Sequence, residues 1–256
     1  MPGGTKIGTC WHEILEKIPF DANEEYIQKL TDKTLLNYGF KLFDDKKNID
    51  TSAIVADMIN KTLKFELSSP NGDSFSLSQV KADKRLSEWE FYFSLSNAKE
   101  STLAIKQVLE KHWKDCRDKK PFIDAMKDWN MPIPEDYLKG YLDLVFSHND
   151  FYYIVDWKSN LIERNKENFS REGILQEMEN AGYYLQYLLY SSVLHQYLKE
   201  TLQENYSWQN NFGGVKYIFL RGIACGAASP IFEDRPSEQL LDELALVLGL
   251  STGGAE

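Results

Sequence analysis

Three charged residues, Asp143, Asp156 and Lys158, lie in a segment that otherwise consists of strand-forming residues, GYLDLVFSHNDFYYIVDWKSN at positions 140–160. Burying a charged group is costly unless a partner or a metal compensates it. Two close carboxylates repel each other unless a proton or a cation lies between them, and Mg²⁺ is commonly held by one or two carboxylates together with substrate phosphates. These residue types therefore indicate metal-assisted phosphodiester hydrolysis, with the lysine holding a phosphate oxygen or orienting the attacking water.

Whether the three side chains meet depends on the hairpin that carries them. The runs YLDLVFSH and FYYIVDWKS are typical of strands, and the residues between them, Asn149 and Asp150, tolerate the positive φ of a two-residue turn. Such a turn pairs His148 with Phe151 and thereby fixes the register of the two strands.

In that register, Asp143 lies directly opposite Asp156, with Cβ atoms about 5 Å apart. Lys158 is two residues further along the second strand and points to the same face. A three-residue loop would break this pairing, and a D-x-K triplet taken alone more often marks a solvated strand face. The matched aspartate across a short turn favours the metal site.

The elements that must position these residues follow from the apolar periodicity along the chain. The predicted helices cover residues 5–18, 22–66 throughout, most of 97–130, 176–202 and a short amphipathic segment from 236 onward. The predicted strands cover residues 87–95, 141–148, 151–159 and 213–222, with a turn-rich break at 68–75 and an extended connection at 131–136. The pattern predicts one α/β domain over 1–256, with helical insertions at about 20–87 and 97–130.

The composition excludes several classes of protein. The chain of 256 residues is 43% hydrophobic and 27% charged, which is typical of a globular protein. It contains no apolar run of about 20 residues and no basic-then-apolar leader pattern. Cys10, Cys116 and Cys225 form no C-x-x-C spacing, which argues against a disulfide framework or a zinc or iron–sulfur site and favours a reducing compartment.

The net charge of −10 is unusual for a protein that acts on nucleic acid, since neutralisation of phosphates usually supplies much of the affinity. If this chain acts on DNA, another feature or another protein must contribute to binding. The chain also lacks a G-x-x-x-x-G-K-[ST] loop, so we do not expect it to hydrolyse ATP itself.

The segment GYLDLVFSHNDFYYIVDWKSN closely resembles the nuclease domain of the RecB family, the beta subunit of bacterial exodeoxyribonuclease V, in the PD-(D/E)xK nuclease superfamily. The resemblance extends over nearly the whole chain through GTCWHEILE, EWEFYFSL, YLQYLLYSSVLHQYL and NFGGVKYIFLRG. It implies an α/β fold with a PD-(D/E)xK (restriction-endonuclease-like) core, in which a mixed central sheet is flanked by helices and carries helical insertions. The signature proline of the superfamily is replaced here, where the chain has GYLD.

The resemblance also implies roles for particular residues. The implied metal ligands are His12, Asp143, Asp156 and the backbone carbonyl of Trp157. The implied catalytic residues are Asp143, Asp156 and Lys158, and those implied to contact DNA or support the site are Gln186, Tyr190 and Glu90. For Tyr190, packing in the core is an equally open interpretation.

The implied function is Mg²⁺-dependent cleavage of DNA in double-strand break repair and recombination, with one or two ions bound. The partners would be a DNA strand delivered by a helicase and RecC-like and RecD-like subunits, in the bacterial cytoplasm and without a membrane. ATP would be used only by helicase parts absent from this chain, and we expect the chain to be a fragment of a longer helicase–nuclease. Two alternatives stay open: a catalytically idle docking module of the helicase complex, and a stand-alone PD-(D/E)xK repair nuclease.

Overall fold

The structure, a computed structural model, describes residues 4–94, 98–125, 137–162 and 169–250, so the extended connection predicted at 131–136 lies outside the described residues. The helices are α1 (Thr5–Lys17), α2 (Glu24–Asn37), α3 (Thr51–Lys64), α4 (Ala98–Trp113), α5 (Lys120–Ala125), α6 (Arg171–Asn180), α7 (Tyr183–Leu202), α8 (Trp208–Asn211), α9 (Leu220–Ala224) and α10 (Glu238–Leu248). The strands are β1 (Phe43–Asp44), β2 (Ile49–Asp50), β3 (Leu67–Ser68), β4 (Ser74–Phe75), β5 (Arg85–Ser94), β6 (Tyr137–His148), β7 (Phe151–Lys158), β8 (Phe212–Phe219) and β9 (Ile231–Asp234). Within these residues, no helix is both long and apolar enough to cross a membrane.

The centre of the fold is a five-stranded mixed sheet in the order β5-β6-β7-β8-β9. The pairs β5–β6, β6–β7 and β8–β9 are antiparallel, whereas β7 and β8 are parallel. A parallel pair needs a crossover connection, and α6 and α7 lie in the crossover between β7 and β8. The predicted mixed central sheet is therefore confirmed, and β7 is its middle strand.

Each face of the sheet is covered by its own hydrophobic cluster. One cluster contains residues of α1, α2 and α3, and the other contains residues of α4 to α7 and of α10. Successive side chains of β7 alternate between them: Val155 and Trp157 belong to the first cluster and Ile154 to the second. Asp156 and Lys158 follow the same alternation, so they face the side of the sheet that α7 covers.

The segment 22–66 is not helical throughout, so that prediction is wrong. Gly39 has a φ of 69° just after α2, the left-handed conformation that commonly terminates a helix. Asp50 then begins α3 by accepting a hydrogen bond from the backbone N–H of Ala53. Between these two points the chain forms the short β1–β2 hairpin.

Two other predicted boundaries are also wrong. The helix predicted over 176–202 is divided into α6 and α7 at Gly182, whose φ is 68°. The strand predicted over 213–222 ends at Phe219, and the next residues form α9. The sheet also contains β9, which was not predicted, because a four-residue strand with two acidic residues gives little periodic signal.

Candidate active site and metal centre

The hairpin of β6 and β7 carries the acidic residues of the candidate site. Its turn consists of Asn149 and Asp150, whose φ angles are 49° and 66°, the positive values that a two-residue hairpin turn needs. Backbone pairing begins at His148 and Phe151. The predicted turn and the predicted register are therefore confirmed.

Pairing between β6 and β7 ends at Leu144 and Val155, just before Asp143 would face its partner. At that point, Oδ2 of Asp143 accepts a hydrogen bond from the backbone N–H of Trp157 at 2.7 Å. From there β6 continues along β5, with which it pairs as far as Tyr137. The candidate site lies at this end of the β6–β7 pairing.

Asp156 and Lys158 form a buried ion pair on the α7 face of β7. Nζ of Lys158 lies 2.7 Å from Oδ1 of Asp156, and the two residues are 5% and 7% exposed. Burial and, to a lesser extent, the charge of Asp143 raise the pKa of Asp156 to about 6, against the opposing effect of Lys158. A carboxylate in this position gains from a further positive charge nearby, which is what a bound cation supplies.

Aromatic rings surround the ammonium group of Lys158. Its Nζ lies 3.6 Å from the ring centroid of Tyr183 and 4.8 Å from that of Tyr217, distances at which an ammonium is attracted to the face of a ring. It also donates a hydrogen bond to Oε1 of Gln186 at 3.1 Å. These contacts fix the ammonium group beside Asp156. The two tyrosines were not predicted, because they lie far from Lys158 in sequence.

The predicted Q-x-x-x-Y pair, Gln186 and Tyr190, is connected to Lys158 by hydrogen bonds. Oε1 of Gln186 accepts hydrogen bonds from Lys158 at 3.1 Å and from the hydroxyl of Tyr217 at 3.0 Å. Its Nε2 donates to the hydroxyl of Tyr190 at 3.0 Å, and the ring of Tyr190 packs edge-on against Phe91. Gln186 thus positions Lys158. Tyr190 makes the contacts expected of a residue packed in the core, which is the alternative interpretation given for it above. A DNA contact by either residue stays a prediction.

His12 reaches the site from α1. Its Nδ1 lies 3.5 Å from Oδ1 of Asp143. Burial alone would lower the pKa of His12, but the hydrogen bond and charge of Asp143, the charge of Asp156 and a hydrogen bond with the backbone of Trp157 raise it above its usual value. The residues that the resemblance implies as metal ligands are therefore close neighbours in the structure.

Gly8, one turn before His12, lies where α1 closely approaches the end of β7. A Cβ atom at position 8 would lie 2.4 Å from Oγ of Ser159, which is closer than real Cβ contacts allow. Arg221 stabilises this contact between α1 and the end of β7. Its Nε donates to the carbonyl of Ser159 at 2.8 Å, and its guanidinium lies over the ring of Trp11 at 4.7 Å. This junction places the imidazole beside the acidic residues.

Glu88 is a site residue that was not predicted. One ligand atom from each of His12, Glu88 and Asp143 lies within 4.8 Å of the others. Glu88 has a φ of 52°, which is strained for a residue other than glycine. It lies in β5 between Ser87 and Trp89, which pair with Leu144 and Leu142 on either side of Asp143. Burial and the charge of Asp143 raise its pKa. The sequence signal was an acidic residue two positions before Glu90 on the same strand.

Glu90 lies one step further along the ribbon of β5 and β6. Its carboxylate forms an ion pair with Lys139 and accepts a hydrogen bond from the hydroxyl of Tyr141 at 2.8 Å. These hydrogen bonds lower the pKa of Glu90 to about 2. The structure therefore places Glu88, rather than Glu90, beside His12 and Asp143.

The donor set fits a divalent cation. Two carboxylates, from Glu88 and Asp143, converge with the imidazole of His12, and Asp156 lies close enough for the charges of Asp143 and His12 to affect its pKa. Oxygen ligands of this kind suit Mg²⁺. The raised pKa values of Glu88 and Asp156 arise partly from the charge of Asp143. A cation would relieve this repulsion. Lys158 then supplies a fixed positive charge next to the cation site.

The mixed five-stranded sheet with its flanking helices has the architecture of a PD-(D/E)xK nuclease core. No family model matches the chain. Curated relatives do match it: the RecBCD enzyme subunit RecB of Escherichia coli is 34% identical over 226 residues, which cover 87% of this chain and 17% of that subunit.

The RecBCD enzyme subunits RecB of Buchnera aphidicola subsp. Schizaphis graminum and of Haemophilus influenzae are 31% and 29% identical, over 97% and 95% of this chain. The chain is thus similar, over most of its length, to one part of the RecB subunits. It spans 17%, 19% and 18% of the length of the Escherichia, Buchnera and Haemophilus subunits, respectively.

Proposed function

We propose that this chain is a Mg²⁺-dependent nuclease that hydrolyses phosphodiester bonds of DNA. The observation that carries the proposal is the convergence of Asp143 and Asp156 with the immobilised ammonium group of Lys158, which lies 2.7 Å from Asp156. His12, Glu88, Asp143, Asp156 and the backbone carbonyl of Trp157 would hold the ion or ions. When bound, such an ion lowers the pKa of a ligated water and stabilises charge on phosphoryl oxygens.

The residues of the chain perform the remaining tasks. Lys158 donates hydrogen bonds either to the attacking water or to a phosphoryl oxygen, because its ammonium carries three protons. Gln186, Tyr183 and Tyr217 keep that ammonium in place, so little reorganisation accompanies the development of charge in the transition state. No covalent intermediate with the protein is needed.

The relatives named above are subunits of an enzyme named RecBCD. We infer that this chain likewise acts as the nuclease domain of a helicase–nuclease in double-strand break repair and recombination, together with RecC-like and RecD-like subunits. ATP would be consumed by helicase parts outside this chain. The net charge of −10 supports this inference, because a nuclease to which a motor delivers the strand needs less affinity of its own for phosphates.

The test is cleavage of a labelled single-stranded DNA by the 256-residue chain in Mg²⁺. We expect cleavage by the parent, no cleavage in a chelator, and a loss of about 10²- to 10³-fold in rate for Lys158→Ala. The matched control is Lys61→Ala, which removes an exposed lysine of α3 that is also paired with an aspartate. Thermal unfolding of each variant shows whether it is folded.

Two results would contradict the proposal. One is cleavage by the parent that a folded Lys158→Ala variant retains, because another site or a contaminant would then be responsible. The other is a folded parent that neither cleaves nor binds Mg²⁺ by calorimetry, which would favour the docking-module alternative.

A further inference from the structure

Beyond the β6–β7 pairing, β5 and β6 continue as a two-stranded ribbon. Its backbone pairs include Glu90 with Tyr141 and Tyr92 with Lys139. We use the name ribbon face for the surface formed by Glu90, Tyr92, Lys139 and Tyr141. The ribbon face adjoins the candidate site, because both lie along β5 and β6.

The two sides of the ribbon differ strongly in exposure. On the side that packs against the protein, Phe91 and Leu142 are 3% and 0% exposed. The ring of Phe91 lies directly over Gly140, where a Cβ atom would be only 2.2 Å away. On the ribbon face, Tyr92 and Tyr141 are 55% and 44% exposed. Two large aromatic side chains therefore lie side by side in solvent.

Lys139 organises the ribbon face. Its Nζ donates a hydrogen bond to the hydroxyl of Tyr92 at 2.7 Å and lies 4.9 and 5.2 Å from the ring centroids of Tyr92 and Tyr141. It also forms an ion pair with Glu90. The ammonium thus orients both rings and offsets the carboxylate that would otherwise repel a phosphate.

The register places the ribbon face in line with the metal centre. The pairs Ser87 with Leu144 and Trp89 with Leu142 lie on either side of Glu88 and Asp143. The pairs that carry the ribbon face, Glu90 with Tyr141 and Tyr92 with Lys139, follow outward along the same two strands. Since a strand rises about 3.4 Å per residue, these pairs lie about 7 and 14 Å along the ribbon from the acidic residues. A DNA strand cleaved at the centre can follow the ribbon for one or two nucleotides.

We propose that the ribbon face is a stacking platform for the bases of the single-stranded DNA next to the scissile phosphate, with Tyr141 and Tyr92 as the stacking residues. This inference rests on the proposed nuclease function. Stacking suits an acidic chain, because it uses the faces of the bases rather than the phosphates and tolerates any sequence. The stacking of one base contributes about 5- to 150-fold in affinity.

The experiment measures binding of a fluorescent 12-nucleotide single strand by anisotropy, in a chelator so that cleavage cannot occur. Tyr141→Ala and Tyr92→Ala are each compared with the Phe variant at the same position, which keeps the ring. Tyr26→Ala is the matched control, since Tyr26 is a 48% exposed tyrosine on α2. A strand of the same length made of abasic sites tests whether the bases are needed.

We expect each Ala variant to bind the normal strand at least fivefold more weakly than the parent, and the Phe and Tyr26→Ala variants to bind within about twofold. On the abasic strand, the Ala variants and the parent should bind alike. With cleavable DNA and Mg²⁺, the Ala variants should raise KM and leave kcat within about threefold, because they remove binding rather than chemistry.

Three results would overturn the platform: unchanged binding by both Ala variants, an equal loss on the abasic strand, or a parent that binds no single strand at all. The first would leave the ribbon face to a protein partner. Cleavage by the parent combined with any of these would retain the proposed nuclease and remove only the platform. Conversely, ring-dependent binding without cleavage in Mg²⁺ would retain the platform and remove the nuclease.

Discussion

Two clusters of this protein use the same residue types for different purposes. Among the described residues, His12, Glu88 and Asp143 form one group whose possible ligand atoms lie within 4.8 Å of one another, and His195, Glu238 and Asp242 form a second such group. We call the second group the distal cluster. Residue type and proximity alone therefore do not identify a metal centre.

The distal cluster has internal partners. Nδ1 of His195 lies 2.6 Å from the hydroxyl of Tyr206 and its Nε2 lies 3.1 Å from Oδ1 of Asp242, so both ring nitrogens are engaged. Lys199 donates to the same oxygen of Asp242 at 2.5 Å. The carboxylate of Asp242 is thus neutralised without a metal, and Glu238, the third member, is exposed to solvent. The cluster joins α7 to α10.

The candidate metal centre has the opposite balance of charge, because its carboxylates are not all paired with cationic side chains within the described part of the chain. The carboxylates of Glu88 and Asp143 meet the imidazole of His12, and the neighbouring Asp156 is paired with the ammonium of Lys158. Burial and, to a lesser extent, the charge of Asp143 raise the pKa values of Glu88 and Asp156. The comparison teaches that uncompensated negative charge, rather than the presence of histidine and acids, distinguishes a site prepared for a cation.

The largest expected effect is stabilisation by Mg²⁺, which should depend on the candidate metal centre and not on the distal cluster. Mg²⁺ at a hundredfold excess over its Kd should raise the Tm of the parent by about 5–10 °C, because it binds only the folded state. Asp143→Asn should lose this shift and reduce cleavage by at least about a hundredfold. Asp242→Asn should lower the starting Tm but keep the shift. Differential scanning calorimetry with and without Mg²⁺ measures both quantities.

An equal loss of the Mg²⁺ shift in both variants would contradict the distinction between the clusters. Retention of the full shift in Asp143→Asn would place the ion elsewhere. The Asp143→Asn variant keeps an acceptor for the N–H of Trp157, so we expect it to remain folded.

The next effect concerns stability: the contributions of His12 and His195 to the stability of the fold should change with pH in opposite directions. The pKa of His12 is raised in the metal-free folded state, so its contribution to stability is complete below pH 6.5 and is lost as the pH rises through the folded pKa. Burial lowers the pKa of His195, despite its hydrogen bond to Asp242. Its contribution is therefore complete above pH 6.5 and is lost as the pH falls toward the folded pKa.

Urea unfolding of His12→Gln and His195→Gln across pH 5–8, without metal, measures these contributions. Relative to the parent, His12→Gln should be most destabilising at low pH and His195→Gln most destabilising at high pH. Parallel pH profiles for the two variants would contradict the assignment. Because protonated His12 competes with a cation, Mg²⁺ affinity of the parent should also increase with pH.

The sequence was sufficient to predict the hairpin and its register. Asn149 and Asp150 favour one turn type, and the alternation on both sides of them permits one register. The resemblance then connected His12, which is more than a hundred residues away, with that hairpin. Such a contact between α1 and β7 depends on the close approach at Gly8, which no periodicity reveals.

The remaining features depend on backbone conformations and on contacts across the core. Glu88 lies beside Asp143 at a φ of 52°, and strand propensity gives no sign of such a strained position. Tyr183 and Tyr217 surround Lys158 from a helix and from another strand, so their role follows from tertiary packing. Gly182 could have predicted the division between α6 and α7, since glycine commonly ends helices.

The smallest expected effect concerns Lys199 in the distal cluster. The side chains of Lys199 and Asp242 are 39% and 43% exposed, so their ion pair is screened by solvent and should contribute only about 0.2–1 kcal/mol. Lys199→Gln should therefore lower the Tm by no more than about 4 °C, and less at high salt. The lysine charge also lowers the pKa of His195, so the variant should raise that pKa in an NMR titration. A large loss of stability with no change at His195 would show that Lys199 acts through packing of its aliphatic chain, and the charge-balance explanation of the distal cluster would then be wrong.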